Sequence, residues 1–338
     1  MKLLLLILAV ISGLLLFLEI GLRLLLGFGN PPIYVTDEKI GYLLAPNQRT
    51  RRFGNRIAIN EFSMRSATIS LMRPTSTRRV LLLGDSVANG AWWTDQNQTI
   101  SALITTQLKT LLCNASSENL NLKSSFEQVE VLNASANSWG PRNELAYLQR
   151  FGTFNAQVVV LLINTDDLFA TAPTSIPVGR DRNYPNRKPP AALAEVFNRY
   201  ILKALPIPEM NAVKAEPGDR VGFNLEAIQQ IQTLANTNGA ELVLAMTPLL
   251  REIGTPGSRD YELKARIRLT ELIKDLEITY LDFLPVFNGT QTPQKLYRDH
   301  IHLSPQGNQV VSEIIGRSLS PLLQAIAPVP TTEPTKSD

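Results

Sequence analysis

The sequence predicts an α/β fold built on a parallel β-sheet and preceded by one membrane-spanning helix. Three observations lead to this prediction. Short continuous runs of Val, Ile and Leu recur along the chain, as in strands that are buried on both faces of a sheet. Segments with helical spacing of apolar residues separate these runs. An almost uninterrupted apolar stretch at the N-terminus comes before the alternating pattern begins.

Residues 1–28 are interpreted as a transmembrane anchor or a signal segment. A helix over residues 3–27 would be about 37 Å long at about 1.5 Å per residue, enough to cross the hydrocarbon core of a bilayer. Glu19 and Arg23 lie four residues apart on one helix face, where they can pair near the interface. No Ala-x-Ala cleavage site follows the run, which favours an uncleaved anchor. Lys2 favours a cytoplasmic N-terminus, with the remaining chain outside the cytoplasm.

Residues 29–78 are predicted to form an irregular juxtamembrane region. The stretch contains Pro31, Pro32 and Pro46 and scattered arginines rather than an apolar period. Two interpretations stay open. The segment is either a solvated linker with short strands or a basic patch that meets anionic lipid headgroups.

From residue 79 onward, strands and helices alternate. The predicted strands are Val80–Leu83, Val129–Leu132, Val158–Ile163, Leu242–Ala245 and Ile278–Leu281. The predicted helices are Ile100–Leu112, Glu144–Phe151, Leu225–Ala235, Tyr261–Leu276 and Pro305–Leu319. The last helix starts with Ser304 as N-cap and Pro305 at its first position. This order predicts a domain over residues 79–325 with a five-stranded, mostly parallel sheet.

Two segments depart from this alternation. Residues 169–222 are rich in proline and arginine and separate the third strand from the next helix. A loop of this length in a compact domain is usually functional or disordered, and we interpret it as a cap over the site. Residues 326–338 lack apolar periodicity and are predicted to be a disordered tail.

The composition excludes several classes of function. A net charge of +3 is too small to indicate nucleic-acid binding. The single cysteine, Cys113, excludes an intramolecular disulfide and a cysteine-based metal site. The two histidines, His300 and His302, confine any histidine chemistry to one short segment. No cofactor, metal or nucleic-acid partner is predicted.

Polar clusters follow three predicted strands, and a fourth precedes the last helix. The clusters are Gly84–Ser86, Asn133–Gly140, Asn164–Leu168 and Asp299–His302. In a parallel sheet, ligands bind beyond the carboxyl ends of the strands. Serine, histidine and a carboxylate are the parts of a nucleophile, its base and the group that orients the base. A serine hydroxyl attacks poorly until its proton is taken, and the carboxylate fixes the imidazole tautomer and stabilises its cation.

The chain resembles the SGNH, or GDSL-type, hydrolases, in particular their membrane-anchored bacterial members. The first block of that family, G-D-S-x-x-x-G, is present as Gly84–Gly90, and its last block, D-x-x-H, as Asp299–His302. The stretches "DEKIGYLLAPN" and "NEFSMRS" are similar to the leader of the membrane-anchored members. The resemblance covers roughly residues 79–320 apart from the cap. It implies a flavodoxin-like, three-layer α/β/α fold.

The resemblance also implies a Ser-His-Asp triad. Ser86 would be the nucleophile, His302 the base and Asp299 the group that orients it. Asp85 is interpreted as a carboxylate that braces the loop. His300 falls outside the motif and is expected to be exposed or structural.

The oxyanion hole implied by the resemblance uses the Ser86 N–H and donors at two positions where this chain departs from the family. Ser138 stands at the glycine position; its N–H survives, although serine tolerates a positive φ less well. Asp166 stands at the asparagine position, where an ionised carboxylate would repel the developing oxyanion. Three outcomes stay open: burial holds Asp166 protonated, Asn164 or Thr165 supplies the donor, or the site is weakened or has moved to another chemistry.

The function implied is that of a serine esterase or acylhydrolase. The resemblance and the N-terminal segment together place it in the cell membrane as a single-pass protein, with its catalytic domain facing the periplasm or the cell exterior. Its expected substrates are acylated or acetylated carbohydrates or lipid esters. Two alternatives stay open: an O-acyltransferase that acts on envelope polysaccharide, and a degenerate SGNH protein with a binding or scaffold role.

Overall fold

The computed structural model describes residues 1–118 and 128–325 of the 338-residue chain. Helix α1 (Lys2–Gly21) continues as a π-helical turn over Leu22–Leu26 and ends at Gly27, which has a φ of 75°. Within the described ranges, Lys2–Leu26 is the one helix that is long and apolar enough to cross a membrane. The predicted tail, residues 326–338, lies outside the described residues.

The juxtamembrane segment folds into two antiparallel hairpins, which differs from the irregular region that the sequence predicted. Strands β1 (Tyr34–Asp37) and β2 (Gly41–Leu44) form the first hairpin, and β3 (Gln48–Arg52) and β4 (Asn55–Ile59) form the second. The inner residues of these strands are buried in the main core. Strands of four or five residues interrupted by arginine and proline give too short an alternation to be recognised in the sequence.

The central sheet has five strands, and every neighbouring pair is parallel. They are β5 (Thr77–Gly84), β6 (Gln128–Ser135), β7 (Val158–Asn164), β8 (Glu241–Thr247) and β9 (Thr279–Asp282). Their order, β6-β5-β7-β8-β9, is that of flavodoxin-like sheets. The predicted five-stranded parallel sheet is therefore confirmed. The strand order reverses between β5 and β7, so the ligand crevice is expected beyond the carboxyl ends of these two strands.

Helices cover both faces of the sheet. In chain order they are α2 (Ser86–Asn89), α3 (Ile100–Glu118), α4 (Pro141–Phe151), α5 (Ala192–Val196), α6 (Glu209–Lys214), α7 (Arg220–Thr237), α8 (Asp260–Asp275), α9 (Phe283–Asn288) and α10 (Pro305–Ala325). Alternate residues of β5 serve the two faces: Leu81 and Leu83 pack with α4, α7 and α8, whereas Val80 and Leu82 pack with α3, α9 and α10. These two apolar layers give the three-layer architecture that the resemblance implied.

The segment 169–222 is joined to the end of α1 by polar contacts. The Glu19 carboxylate accepts the backbone N–H groups of Ala192 and Leu193, at 2.8 and 2.9 Å, and so caps the start of α5. The carboxylate of Glu195, also on α5, accepts the Gly29 N–H at 2.6 Å and pairs with the buried guanidinium of Arg52. The segment predicted as a cap is therefore attached to both the apolar helix and the second hairpin.

Candidate active site

Ser86 lies where β5 gives way to the short helix α2. Gly84 ends the strand, and a Cβ there would lie 2.7 Å from the Leu162 carbonyl oxygen, so that only glycine fits. Asp85 is the N-cap of α2, because its Oδ1 accepts the Val87 N–H at 2.8 Å. Ser86 is the first residue of the helix, a position whose N–H has no partner within the helix. The turn leaves the Ser86 side chain 8% exposed at the carboxyl edge of the sheet.

The structure brings Ser86, His302 and Asp299 together, although more than 200 residues of chain separate the serine from the other two. The Ser86 hydroxyl lies 2.9 Å from Nε2 of His302. The other ring nitrogen, Nδ1, lies 2.8 and 3.0 Å from the two carboxylate oxygens of Asp299. A carboxylate accepts only, so Nδ1 carries the proton and Nε2 accepts the serine O–H. In this arrangement His302 Nε2 can accept the Ser86 proton. The nucleophile, base and orienting roles of the three residues stay predictions.

Asp299 is held by the backbone of its own loop. Its Oδ1 accepts the N–H groups of Ile301 and His302 at 3.0 and 2.9 Å. Partial burial acts to raise the pKa of this carboxyl, but the two backbone donors and the imidazole outweigh it and hold the pKa below its usual value. Asp299 therefore stays negatively charged beside the imidazole. The His300 side chain is 80% exposed, as expected for a histidine outside the motif.

Trp93 packs against His302 and was not predicted from the sequence. Its ring centroid lies 4.6 Å from that of His302, at an interplanar angle of 64°. The fully buried guanidinium of Arg65 donates to the carbonyls of Asn89 and Ala91, at 2.5 and 2.6 Å, and so fixes the loop that carries Trp93. Burial lowers the pKa of Arg65 to about 10. The adjacent Trp pair just after the first block was the available sequence signal.

Ser138 lies in the loop after β6 and has a φ of 58°, as expected where the family has glycine. Its hydroxyl accepts a hydrogen bond from the Tyr184 hydroxyl of the cap, at 2.8 Å. The Tyr42 hydroxyl donates to the neighbouring Asn137 carbonyl at 2.6 Å. Within the described part of the chain, no acceptor takes the Ser138 N–H. The first hairpin and the cap thus hold a loop that has a free N–H donor.

The segment after β7 excludes one of the outcomes that the sequence left open. The Asn164 side chain is fully buried and donates to Asp85 and Asp167, at 3.0 and 2.8 Å. The Thr165 hydroxyl is also buried and donates to Glu252 at 2.5 Å. Both side chains are therefore committed elsewhere and do not replace the family's asparagine as an oxyanion donor.

Asp166 lies at the surface of the cleft and carries no side-chain hydrogen bond within the described residues. The atoms that line the concave cleft partly desolvate its carboxyl, which raises the pKa, and nearby Glu262 raises it further, whereas Arg251 acts in the opposite direction. A raised pKa increases the protonated fraction, and only the protonated carboxyl can donate a hydrogen bond.

A group of buried carboxyls, formed by Asp85, Asp167 and Glu144, lies next to Ser86. Asp85 Oδ2 is 3.1 Å from the Ser86 hydroxyl, and burial raises the pKa of Asp85. Burial and the neighbouring carboxyls raise the pKa of Asp167 well above its usual value, and burial together with Asp85 does the same for Glu144. Neither carboxyl oxygen of the fully buried Glu144 has a hydrogen-bond partner among the described residues. We infer that protons are retained within this group, since three neighbouring buried charges would repel one another.

Two cavities meet at Ser86, Ser138, Tyr184 and His302. The smaller, about 280 Å³, has seven Phe, Tyr and Trp rings among its lining residues, and we call it the aromatic cavity. The larger, about 840 Å³, is lined by polar groups such as Asp166, His300 and Lys214, and we call it the polar cleft. An ester bond placed at Ser86 could extend one part into each space.

Comparisons with known proteins show which solved structures the chain is similar to. Among solved structures, the chain is similar to TesA, with 16% identity and a TM-score of 0.42, covering 72% of this chain and 99% of TesA. It is also similar to the acetyl xylan esterase AlAXEase, with 14% identity and a TM-score of 0.45, covering 71% of this chain and 99% of AlAXEase. A further similar structure is Axe2, an acetylxylan esterase from Geobacillus stearothermophilus, with 12% identity and a TM-score of 0.44, covering 75% of this chain and 97% of Axe2. These identities are too low to transfer a substrate. A search of curated proteins gives no significant match.

The sequence model of the GDSL-like Lipase/Acylhydrolase family matches residues 82–310, which is more than half of the chain. This range starts within β5, includes Ser86, and ends within α10 after His302. The chain therefore belongs to the GDSL-like lipase/acylhydrolase family and is an ester hydrolase.

Proposed function

We propose that this protein is a membrane-anchored serine esterase that cleaves acyl or O-acetyl esters outside the cytoplasm. The observation that carries the proposal is the pair of consecutive hydrogen bonds from the Ser86 hydroxyl to His302 and from His302 to Asp299. Each contact has the length and the donor–acceptor order that proton removal from a serine needs.

The reaction has two halves. His302 takes the Ser86 proton at Nε2 while the serine oxygen attacks the ester carbonyl carbon, and the resulting imidazolium is stabilised by the Asp299 carboxylate. The tetrahedral intermediate collapses when Nε2 returns the proton to the leaving alcohol, which leaves an acyl group on Ser86. Water then repeats the sequence with His302 as base, and the carboxylic acid leaves.

The oxyanion formed in each half needs donors. We assign this role to the N–H groups of Ser86 and Ser138, with protonated Asp166 as the third donor. The free N–H of Ser138 and the position of Ser86 at the start of α2 support the first two. Asp166 lines the same cleft as Ser86, and its raised pKa favours the protonated form that can donate. Loss of one such donor typically costs about 2.7–4 kcal/mol in transition-state stabilisation.

Retention of α1 as an anchor is supported by its contacts with the cap. Glu19 provides both acceptors for the first free N–H groups of α5. Cleavage after the apolar run would remove Glu19 and leave these two donors without a protein partner. A helix that is apolar over one membrane thickness and also completes the fold is better explained as an anchor than as a removable signal.

The test is covalent labelling of the full-length protein in detergent with a fluorophosphonate probe. We expect labelling of the wild type, loss of labelling in Ser86→Ala, and full labelling in Ser70→Ala, which changes an exposed serine outside the site. Hydrolysis of short-chain p-nitrophenyl esters should follow the same order, with Ser86→Ala reduced by at least about 10³-fold. Unlabelled wild type with intact thermal unfolding would contradict the proposal and favour a binding role.

A further inference from the structure

The cap carries an unusual concentration of exposed apolar side chains. Five of them lie within nine residues and are between 48% and 85% exposed. They are Phe197, Tyr200, Ile201, Leu202 and Leu205, and we call them the cap patch. Large exposed apolar groups are normal when scattered, whereas five within nine residues indicate a surface that meets an apolar partner.

The cap patch lies directly beside the end of α1. The chain runs from α5, whose first N–H groups are bound by Glu19, straight into the turn Phe197–Ile201. Phe28, two residues after the apolar helix segment, contacts the Tyr200 ring at a centroid distance of 6.1 Å. Tyr200 of the cap patch therefore lies against the end of the apolar helix segment.

Positive charge borders the same region. Arg187 and Lys188 are exposed in the segment that leads to α5, and neither forms an ion pair within the described residues. The Pro190 carbonyl accepts a hydrogen bond from Arg23, near the end of the apolar helix, at 3.4 Å. An apolar patch with adjoining cations matches a leaflet with acyl chains below anionic headgroups.

A row of aromatic rings connects the cap patch to the catalytic histidine. The ring contacts are Tyr200–Phe28 (6.1 Å), Phe28–Phe53 (5.6 Å), Phe53–Trp92 (5.4 Å), Trp92–Trp93 (5.4 Å) and Trp93–His302 (4.6 Å). All of these side chains line the aromatic cavity, together with Ser86. Tyr200 and Phe53 are exposed and mark its outer end, whereas Ser86 is buried at its inner end.

We propose that the cap patch docks on the leaflet from which α1 emerges, and that the aromatic cavity receives the acyl chain of a lipid-borne ester from this leaflet. Transfer of apolar surface from water stabilises the docked state by roughly 25 cal/mol per Å². The acyl chain passes between the aromatic rings to reach Ser86, while the alcohol part occupies the polar cleft. The docking part rests on the proposed membrane anchoring by α1, and the substrate part rests on the proposed esterase function.

Docking is tested without reference to activity. Ile201→Cys and the matched Ile267→Cys on α8, which are 67% and 57% exposed as isoleucines, are each made in a Cys113→Ala background and spin-labelled. The full-length proteins are placed in nanodiscs that contain anionic lipid, and collision with oxygen or with a water-soluble nickel chelate is measured. We expect the label at 201 to favour oxygen and the label at 267 to favour nickel. Nickel access at 201, or shielding from both reagents by a second protein copy, would overturn the proposal.

The substrate part is tested with two esters in the same nanodiscs. Ile201→Ser/Leu202→Ser removes apolar surface from the patch, and Leu263→Ser/Ile267→Ser on α8 is the matched control. We expect hydrolysis of membrane-dissolved p-nitrophenyl palmitate to fall at least tenfold in the patch variant only, with p-nitrophenyl acetate hydrolysis unchanged in both. Equal effects on the two esters would overturn this inference alone, whereas absence of hydrolysis of either ester by the wild type would contradict the esterase function.

Discussion

Ser86 lies between two groups of carboxyl side chains whose surroundings have opposite effects on their charge. One side, which we call the relay side, holds Asp299 of the proposed Ser86–His302–Asp299 relay; backbone N–H groups there keep the pKa of Asp299 below its usual value, so that the group is ionised. The other, which we call the oxyanion side after the donors proposed near it, holds Asp85, Asp167 and Glu144, whose pKa values are raised by burial. In the proposed mechanism, negative charge is useful beside His302, where a cation develops, and harmful where an oxyanion forms. The surroundings, rather than the residue type, thus set the charge that the chemistry needs.

The strongest test of this comparison removes the charge on the relay side. Asp299→Asn keeps the size of the side chain but presents an amide, which no longer enforces the Nδ1–H tautomer or stabilises the imidazolium. We expect kcat/KM for a soluble ester to fall on the order of 10³-fold, with little change in KM. Steady-state kinetics measure this effect. The control is Asp282→Asn, which changes an aspartate that caps α9 outside the site. A loss below tenfold would remove Asp299 from the relay.

Asp166→Asn tests the oxyanion side and has a smaller expected effect. The substitution exchanges a carboxyl that must be protonated to donate for an amide that always donates. We expect less than about a tenfold change in kcat near neutral pH, because one donor replaces another. As pH rises, wild-type Asp166 loses its proton and its donor, so the ratio of variant to wild-type kcat should increase. A fall beyond a hundredfold would contradict the protonated-donor role.

Glu144→Gln gives the smallest expected effect on rate and a distinct effect on stability. A carboxyl whose pKa is raised by folding stabilises the protein at low pH, and this contribution is lost as pH rises from the unfolded value, about 4.3, through the raised value. Glutamine does not titrate. We therefore expect the Tm of the variant, relative to wild type, to increase between pH 5 and pH 8, by about 2–4 °C per kcal/mol.

Scanning calorimetry in detergent checks this prediction, with exposed Glu226→Gln on α7 as control. A Tm difference that is independent of pH would mean that Glu144 is ionised in the folded protein. The kcat of Glu144→Gln should stay within about threefold of wild type, since its side chain makes no contact with Ser86 or His302.

Most of the central domain could be predicted from the sequence because its signals are local. Each of the five strands carries a continuous apolar run, and Ser304 and Pro305 mark the start of α10 as the structure has it. For the juxtamembrane region, short strands were one open interpretation, but their pairing into buried hairpins could not be predicted, because it depends on tertiary partners. Arg65 and Arg52 suggest solvent in a sequence, yet both are buried, one against backbone carbonyls and the other against Glu195.

The same contrast applies to the site. Two histidines and two family blocks were enough to predict which serine, histidine and aspartate come together. The charge states on the oxyanion side were not predictable, because Glu144 looks like an ordinary helix residue in the sequence. Its complete burial without a hydrogen-bond partner is a property of the packed fold. The contact between Trp93 and His302 likewise depends on the loop that Arg65 holds.

The position of Arg65 has a consequence for dissecting the chain. The family match begins inside β5, at residue 82, but the donor that holds the Asn89 and Ala91 carbonyls lies upstream of it. Tyr42, which binds the loop of Ser138, lies further upstream still. A fragment cut at residue 79 would keep Ser86, His302 and Asp299 but lose the groups that hold these two neighbouring loops. The range that the family model matches is therefore shorter than the folded unit, and we expect a minimal active fragment to begin before the first hairpin.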